Sequence, residues 1–230
     1  MPPKAGRAMA EPTLYSYFRS SASYRVRIAL NLKGIDYRQV PVHLLRGGGE
    51  QLGEAYRRIQ PDGVVPAFVD GDGPPLAQSL AIVEYLDECF PLPPLLPAAP
   101  ADRAYVRAVA LQIACEIHPP NNLRVLSYLK TTLGVSDAQK SAWYAHWIGL
   151  GFASLERRLA ADPRVGRCVF GDTPGLADLC LVPQVWNAKR FAVPLDAYPT
   201  LMRLYEHAAA LPAFARAEPS VQPDAEPPRA

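Results

Sequence analysis

The chain has 230 residues, with apolar side chains at 49% and charged ones at 20%, a composition that fits one large or two modest globular cores and not a disordered protein. Its 24 basic and 22 acidic residues leave a net charge of +2. That argues against a nucleic-acid binder, and any positive charge that matters is local and suited to a small anion. No apolar run nears the ~20 residues that cross a bilayer, and the mixed Met1–Ala10 segment lacks the apolar core of a signal peptide. The four cysteines, Cys89, Cys115, Cys168 and Cys180, are scattered and form no CxxC pair. A reduced, cytoplasmic protein whose thiols are buried small hydrophobes is expected. Met9 offers an alternative start, since ordered-looking sequence begins only at Thr13.

Thr13-Leu14-Tyr15-Ser16-Tyr17 is β-prone and reads as a first strand. From Ser21 a helix follows, with Val26, Ala29, Leu30 and Lys33 on one face and Gly34 as its C-terminal stop. Tyr37–Val42 is a second strand, and this β-α-β order implies a parallel pair with a right-handed crossover. Gly47-Gly48-Gly49 reads as a loop before a short helix from Gln51 to Ile59; it lacks the spacing of a nucleotide-phosphate motif. Val64–Val69 and the Asp70-Gly71-Asp72-Gly73 turn predict an antiparallel hairpin. Gln78-Ser79 then opens a helix whose Ile82, Val83, Leu86, Cys89 and Phe90 form an apolar stripe.

Pro91 to Pro100 holds five prolines in ten residues and reads as a stiff linker. Beyond it the pattern is helical: 101–118, 138–160, 176–190 and 200–211. Residues 217–230, with four prolines, read as a loose tail. The expected architecture is an α/β domain over 11–92, a linker over 93–100, an all-α domain over 101–216 and a flexible tail over 217–230.

Three blocks resemble the cytosolic glutathione transferases, and within them the zeta class. Tyr15-Ser16-Tyr17-Phe18-Arg19-Ser20-Ser21-Ala22-Ser23-Tyr24-Arg25-Val26-Arg27-Ile28-Ala29-Leu30 is similar to the zeta signature, Gln78-Ser79-Leu80-Ala81-Ile82-Val83-Glu84-Tyr85-Leu86 is shared by many transferase classes, and Leu181–Phe191 is again zeta-like. The resemblance runs from about Thr13 to about Pro223. It implies a thioredoxin-like N-terminal domain, an all-α C-terminal domain, glutathione as cofactor and a homodimer. Enzymes of this class are maleylacetoacetate isomerases, and maleylpyruvate isomerases are close relatives. The implied reaction is cis–trans isomerisation of a dicarboxylate by reversible thiol addition, with a general conjugating or dehalogenating transferase and a non-catalytic glutathione-binding module as the alternatives.

The class signature has cysteine where this chain has Ala22 and tryptophan where it has Tyr24. Ala22 supplies no nucleophile, so chemistry must rest on the serines and on glutathione's own thiol. Ser20 and Ser21, at a strand-to-helix turn, suit activation of that thiol: a hydroxyl donor and helix N-terminal N–H groups both favour a thiolate. They also suit plain helix capping. The resemblance assigns glutathione contacts to Ser20, Ser21, Ala22, Ser23, Tyr24, Arg25, Gln51, Val65, Gln78, Ser79, His118, Asn122, Leu123 and Arg124. Among these, Val65 before a cis Pro66 would pair with the peptide backbone, and Gln78 and Ser79 would hold the γ-glutamyl carboxylate or simply cap a helix. His118 stands where glutamine is common in the class and can equally be structural. Arg19, Arg124 and Arg190 are the candidates for the substrate's carboxylates, because guanidinium pairs with them bidentately; a solvated surface charge is the alternative, above all for Arg124. Gly175 replaces the usual Ser or Thr of a capping box, leaving Asp178 to reach back to the Gly175 N–H. There is no metal-ligand cluster such as HExxH.

Overall fold

The computed structural model describes residues 11–226. Met9 and the last four residues of the expected tail lie outside that range. The chain divides into two compact units, 11–93 together with 216–226, and 94–215.

The first unit carries a four-stranded sheet of β1 (Thr13–Ser16), β2 (Arg38–Pro41), β3 (Ala67–Val69) and β4 (Leu76–Ala77), in the order β2-β1-β3-β4. β1 and β2 run parallel, with Thr13 opposite Arg38, and α1 (Ser21–Lys33) makes the crossover. β3 is antiparallel to β1 and to β4, so the hairpin is the expected one, though β3 begins only at Ala67. In place of a helix from Gln51 to Ile59 there are two 3-10 turns, Arg46–Gly48 and Glu50–Leu52, and the single-turn α2 (Glu54–Arg57). Gly53, inside that span, breaks it, since glycine costs about 1 kcal/mol in a helix interior and serves here as the N-cap of α2. α3 (Ser79–Cys89) packs against α1.

α1 ends as its glycine implies. Gly34 sits at φ 65, a left-handed conformation, and the Gly34 and Ile35 N–H groups donate to the Asn31 and Leu30 carbonyls. Its burial is broader than the one-faced stripe read from the sequence. Val26, Ile28, Ala29 and Leu30 are buried, and so are Arg25 and Arg27. The α3 stripe is shorter than expected: Ile82, Val83 and Leu86 are buried, whereas Cys89 and Phe90 are exposed at the helix end.

The second unit is helical: α4 (Pro100–Leu111), α5 (Leu123–Thr131), α6 (Asp137–Ala161), α7 (Leu176–Arg190), α8 (Pro199–Ala209) and the one-turn α9 (Pro212–Ala215). α4 does not continue as an α-helix to His118. It runs into a π-helical stretch, Gln112–Ile117, and then a 3-10 turn, Pro119–Asn121. Cys115 lies on the outer side of that stretch and is exposed, so the expectation of four buried thiols holds only for Cys168 and Cys180. Burial raises the Cys168 thiol to about 12. α7 is buried nearly all round and packs against α4 and α8, which makes it the core helix of this unit. The expected linker is not wholly free: Leu95 and Leu96 are buried, and Pro100 is already the first residue of α4.

Asp178 closes the N-terminus of α7 as its spacing implies. Its two carboxylate oxygens accept the Gly175 and Val169 N–H groups, each at 2.9 Å. Gly175 is required for a reason the spacing does not reveal: a Cβ there would lie 2.8 Å from the Leu95 carbonyl oxygen. Complete burial pushes the Asp178 carboxyl up to about 6 despite both N–H bonds. The folded value lies above the unfolded one, so this group's stabilisation is full below about pH 4 and is lost as pH rises through about 6, by about 3 kcal/mol. Asp178→Asn turns an N–H donor toward a backbone N–H and should be less stable throughout. Its deficit in urea unfolding should shrink from pH 4 to pH 7, and an unchanged deficit would contradict the shifted carboxyl.

No helix among the described residues is long and apolar enough to cross a membrane. The tail, read as loose from its prolines, is not loose over 216–226. It joins the first unit, with Ala217 fully buried, a 3-10 turn at Pro219–Val221 and Gln222 bonded through Nε2 to the Arg216 and Glu218 carbonyls.

Candidate active site

The turn from β1 into α1 places Ser20 at the N-cap of α1, in extended conformation (φ −69, ψ 118). Its Oγ accepts the Ser23 N–H at 3.2 Å, so Ser20 is a helix cap. Capping uses an oxygen lone pair and leaves the O–H proton for another acceptor, so capping and donation to a thiolate are compatible at Ser20. Ser20 and Ala22 are half-buried, while Ser21 and Ser23 are buried. The first turn of α1 contains no acidic side chain. Its leftover N–H groups therefore keep their positive potential for an outside anion.

Arg27 holds the turn from behind. Its guanidinium is fully buried, and Nε donates to the Ala217 carbonyl (3.0 Å), Nη1 to Ser16 Oγ (3.0 Å) and the Tyr17 carbonyl (3.4 Å), and Nη2 to the Phe18 carbonyl (2.9 Å). Burial lowers its pKa to about 10, which leaves it charged at neutral pH. Neither its burial nor its role was foreseen from the sequence.

Arg25, also buried, connects two of the expected glutathione-contact segments: its Nη1 donates to Ser79 Oγ at 3.2 Å. Ser79 is the first residue of α3, and Gln78 before it has φ 67. A non-glycine residue held there costs of order 1–3 kcal/mol and is typical of ligand clamps. The Gln78 side chain does not cap α3, so capping alone does not account for this residue. Several buried polar atoms nearby in the unit have no partner among the described residues: Arg25 Nε and Nη2, Ser23 Oγ and Gln51 Oε1. Unpaired buried donors and acceptors are costly, and those of Arg25 and Ser23 lie on α1, the helix that Ser20 caps. Gln51 lies in the Glu50–Leu52 turn, its Nε2 3.4 Å from the Leu44 carbonyl. The Val65–Pro66 peptide is cis, and Val65 is buried just ahead of β3.

Arg19 is partly sheltered, its guanidinium 4.6 Å from the Phe18 ring centre and 3.1 Å from a Glu226 carboxylate oxygen. Asp224 accepts the Phe18 N–H, and the sequence alone assigns no contact to it or to Glu226; their only sequence signal is acidity in a proline-rich end.

In the second unit, His118 follows the π-helical stretch and is partly buried. Asn122 is the N-cap of α5, its side-chain oxygen accepting the Arg124 N–H at 3.1 Å. Leu123 and Arg124 open that helix. Arg124 is exposed, where a cation in the first turn is opposed by the helix dipole. α6 organises this region. Its Tyr144 carbonyl accepts the buried Asn121 Nδ2 (3.3 Å), Trp143 Nε1 donates to the Pro120 carbonyl (2.9 Å), and the Tyr144 ring stacks on Phe191 at 3.7 Å. Arg190, the last residue of α7, lies 4.8 Å from the Phe191 ring centre. Tyr144 thus ties the His118–Arg124 segment to the Arg190 end of α7.

Comparison with known proteins gives the chain its family. Residues 14–94 match the glutathione S-transferase N-terminal domain model. A probable maleylacetoacetate isomerase from Vibrio cholerae is 51% identical, over 92% of this chain and 97% of that one. The holo structure of a bacterial zeta-class maleylpyruvate isomerase has a TM-score of 0.90 at 47% identity, covering 93% of this chain and all of the other. A maleylacetoacetate isomerase from Methylobacterium extorquens AM1, solved with malonate and glutathione, also has a TM-score of 0.90, at 41% identity over 94% of this chain and all of the other. The chain belongs to the zeta-class glutathione transferases, the family of the maleylacetoacetate isomerases.

Proposed function

We propose that this protein is a glutathione-dependent cis–trans isomerase that converts maleylacetoacetate to fumarylacetoacetate, acting in the cytoplasm as a homodimer in aromatic amino-acid catabolism. The observation that carries the reading is the Ser20 turn: a capping serine with its O–H to spare, at a helix N-terminus without acidic side chains.

Glutathione, when bound, supplies a thiolate for reversible addition to the conjugated cis double bond, so that the bond can rotate and the thiol is recovered. The chain's own task is to favour the anion. Ser20 O–H and the first-turn N–H groups of α1 offer donors where negative charge is to be held. Gln78 and Ser79 at the start of α3, with Arg25 behind Ser79, are the donors for a carboxylate. Ser21, Ala22, Ser23 and Tyr24 shape the floor of the turn; Val65 and Gln51 offer backbone and amide groups for the peptide part. His118, Asn122 and Leu123 complete the set of glutathione contacts. Arg19, Arg124 and Arg190 are the cations for the two ends of the diacid, and the malonate in the Methylobacterium relative supports a dicarboxylate ligand. With Ala22 in the turn, the chain brings no thiol of its own.

Maleylpyruvate is the second reading, favoured by the structural likeness to a maleylpyruvate isomerase. Assays with catalytic glutathione and each cis acid separate the two: the higher kcat/KM is expected for maleylacetoacetate. A higher value for maleylpyruvate would reverse the assignment, and turnover of neither would sink the isomerase.

A further inference from the structure

The C-terminal segment reaches back over about two hundred residues to the two positions that precede Ser20. Asp224 Oδ2 accepts the Phe18 N–H at 3.0 Å, and Asp224 Oδ1 lies 3.4 Å from Gln39 Nε2. Glu226 Oε2 accepts from Arg19 Nη2 at 3.1 Å. The other Glu226 oxygen is 2.8 Å from His43 Nε2 and 3.6 Å from Arg46 Nη2. His43 Nδ1 accepts the Leu45 and Arg46 N–H groups at 3.2 and 2.8 Å, so its ring proton sits on Nε2 and is donated to Glu226. The His43 ring packs edge-on against Tyr17, 5.0 Å between centres. The Phe18 N–H and the Arg19 guanidinium are thereby held by this carboxylate pair, and the Tyr17 and Phe18 carbonyls by Arg27.

The segment's anchor is separate from its acidic end. Ala217 is buried, its carbonyl accepts Arg27 Nε, and the Gln222 side chain bonds to the Arg216 and Glu218 carbonyls. The turn at 219–221 therefore keeps its own contacts without either acid. What Asp224 and Glu226 add is directed at the backbone and guanidinium next to Ser20. A hydrogen-bond donor aimed at a reacting atom loses much of its effect when displaced by about 1 Å.

We propose that Asp224 and Glu226 are positioning residues for the isomerisation, a C-terminal strap that sets the Phe18–Arg19 approach and so aims the Ser20 hydroxyl. This rests on the thiolate-activating role of Ser20. The test uses the full-length chain with Asp224→Ala, Glu226→Ala, the double replacement and Glu226→Asp. The readouts are the ultraviolet thiolate titration of bound glutathione, kcat and KM for the cis acid, glutathione Kd and the thermal midpoint. Each alanine variant should lose about tenfold in kcat, the size expected for one charge-assisted hydrogen bond. The bound thiol pKa should rise in step, glutathione Kd should stay within a few-fold, and Glu226→Asp should recover part of the rate. A lower thermal midpoint with kcat and thiol pKa at wild-type values would overturn the proposal and leave a purely structural strap. A gain in activity would overturn it too, marking Glu226 as a competitor for Arg19. Wild-type protein that neither turns over substrate nor lowers the thiol pKa would overturn both this proposal and the isomerase reading.

Discussion

Replacing Ser20 with alanine should cut kcat by roughly 10- to 100-fold, with glutathione affinity changed far less, because a hydrogen bond to a charged group is worth ~1.5–3 kcal/mol. The same change raises the bound thiol's pKa by about 1–2 units if that bond is its main support. Ser20 is also the cap of α1, accepting the Ser23 N–H, so a stability loss of about 1 kcal/mol accompanies the rate loss. Two further variants separate these effects. Ser20→Thr keeps both the hydroxyl and the cap and should retain most of the rate. Ser20→Asp keeps a capping oxygen but places an anion where a thiolate is to form; it should fold well and be nearly inactive. A full-rate Ser20→Ala enzyme would show that another donor activates the thiol, and Ser21 or Ser23 would be the next to test.

Arg27→Met should destabilise the first unit strongly, by about 3–5 kcal/mol, because buried acceptors left without a donor cost ~1 kcal/mol or more each. Ser16 Oγ and the Tyr17, Phe18 and Ala217 carbonyls all lose a donor at once inside a buried region. Arg27→Lys should recover little, since one ammonium cannot reproduce the planar fork that reaches four acceptors. Urea unfolding measures this directly: the midpoint should fall sharply in both variants. A methionine variant as stable as the parent would mean that desolvation of the guanidinium offsets its bonds. In that case the variant's activity would show whether Ser16 Oγ and the Tyr17 and Phe18 carbonyls need a donor to hold the Ser20 turn.

Much of the fold follows from local signals. The β-α-β start, the Gly34 stop, the Asp-Gly hairpin and the α7 capping residue each depend on neighbours within a few positions, and each is found where the spacing places it. What stayed hidden depends on distant partners. Arg25 and Arg27 lie off the Val26, Ala29 and Leu30 stripe; they are buried because Ser79 Oγ, Ser16 Oγ and the Tyr17 and Phe18 carbonyls present acceptors to them. The proline-rich end reads as loose because its composition holds no local stabilising pattern, yet its hydrogen bonds go to residues 18, 19, 27 and 43. α5 was missed because prolines 119 and 120 mask its Asn122 cap. At the candidate site, Ser20, Gln78 and Val65 are singled out by the family resemblance alone. The positive φ of Gln78 and the unpaired atoms of Arg25 are properties of the folded chain alone.

The most direct test of the thiolate-activating isomerase is to follow the cis acid and glutathione together, with substrate in large excess over glutathione. The expected result is many turnovers per glutathione, trans product in equal amount, and a free thiol titre unchanged at the end. Loss of thiol in step with substrate would contradict this and make the protein a conjugating transferase.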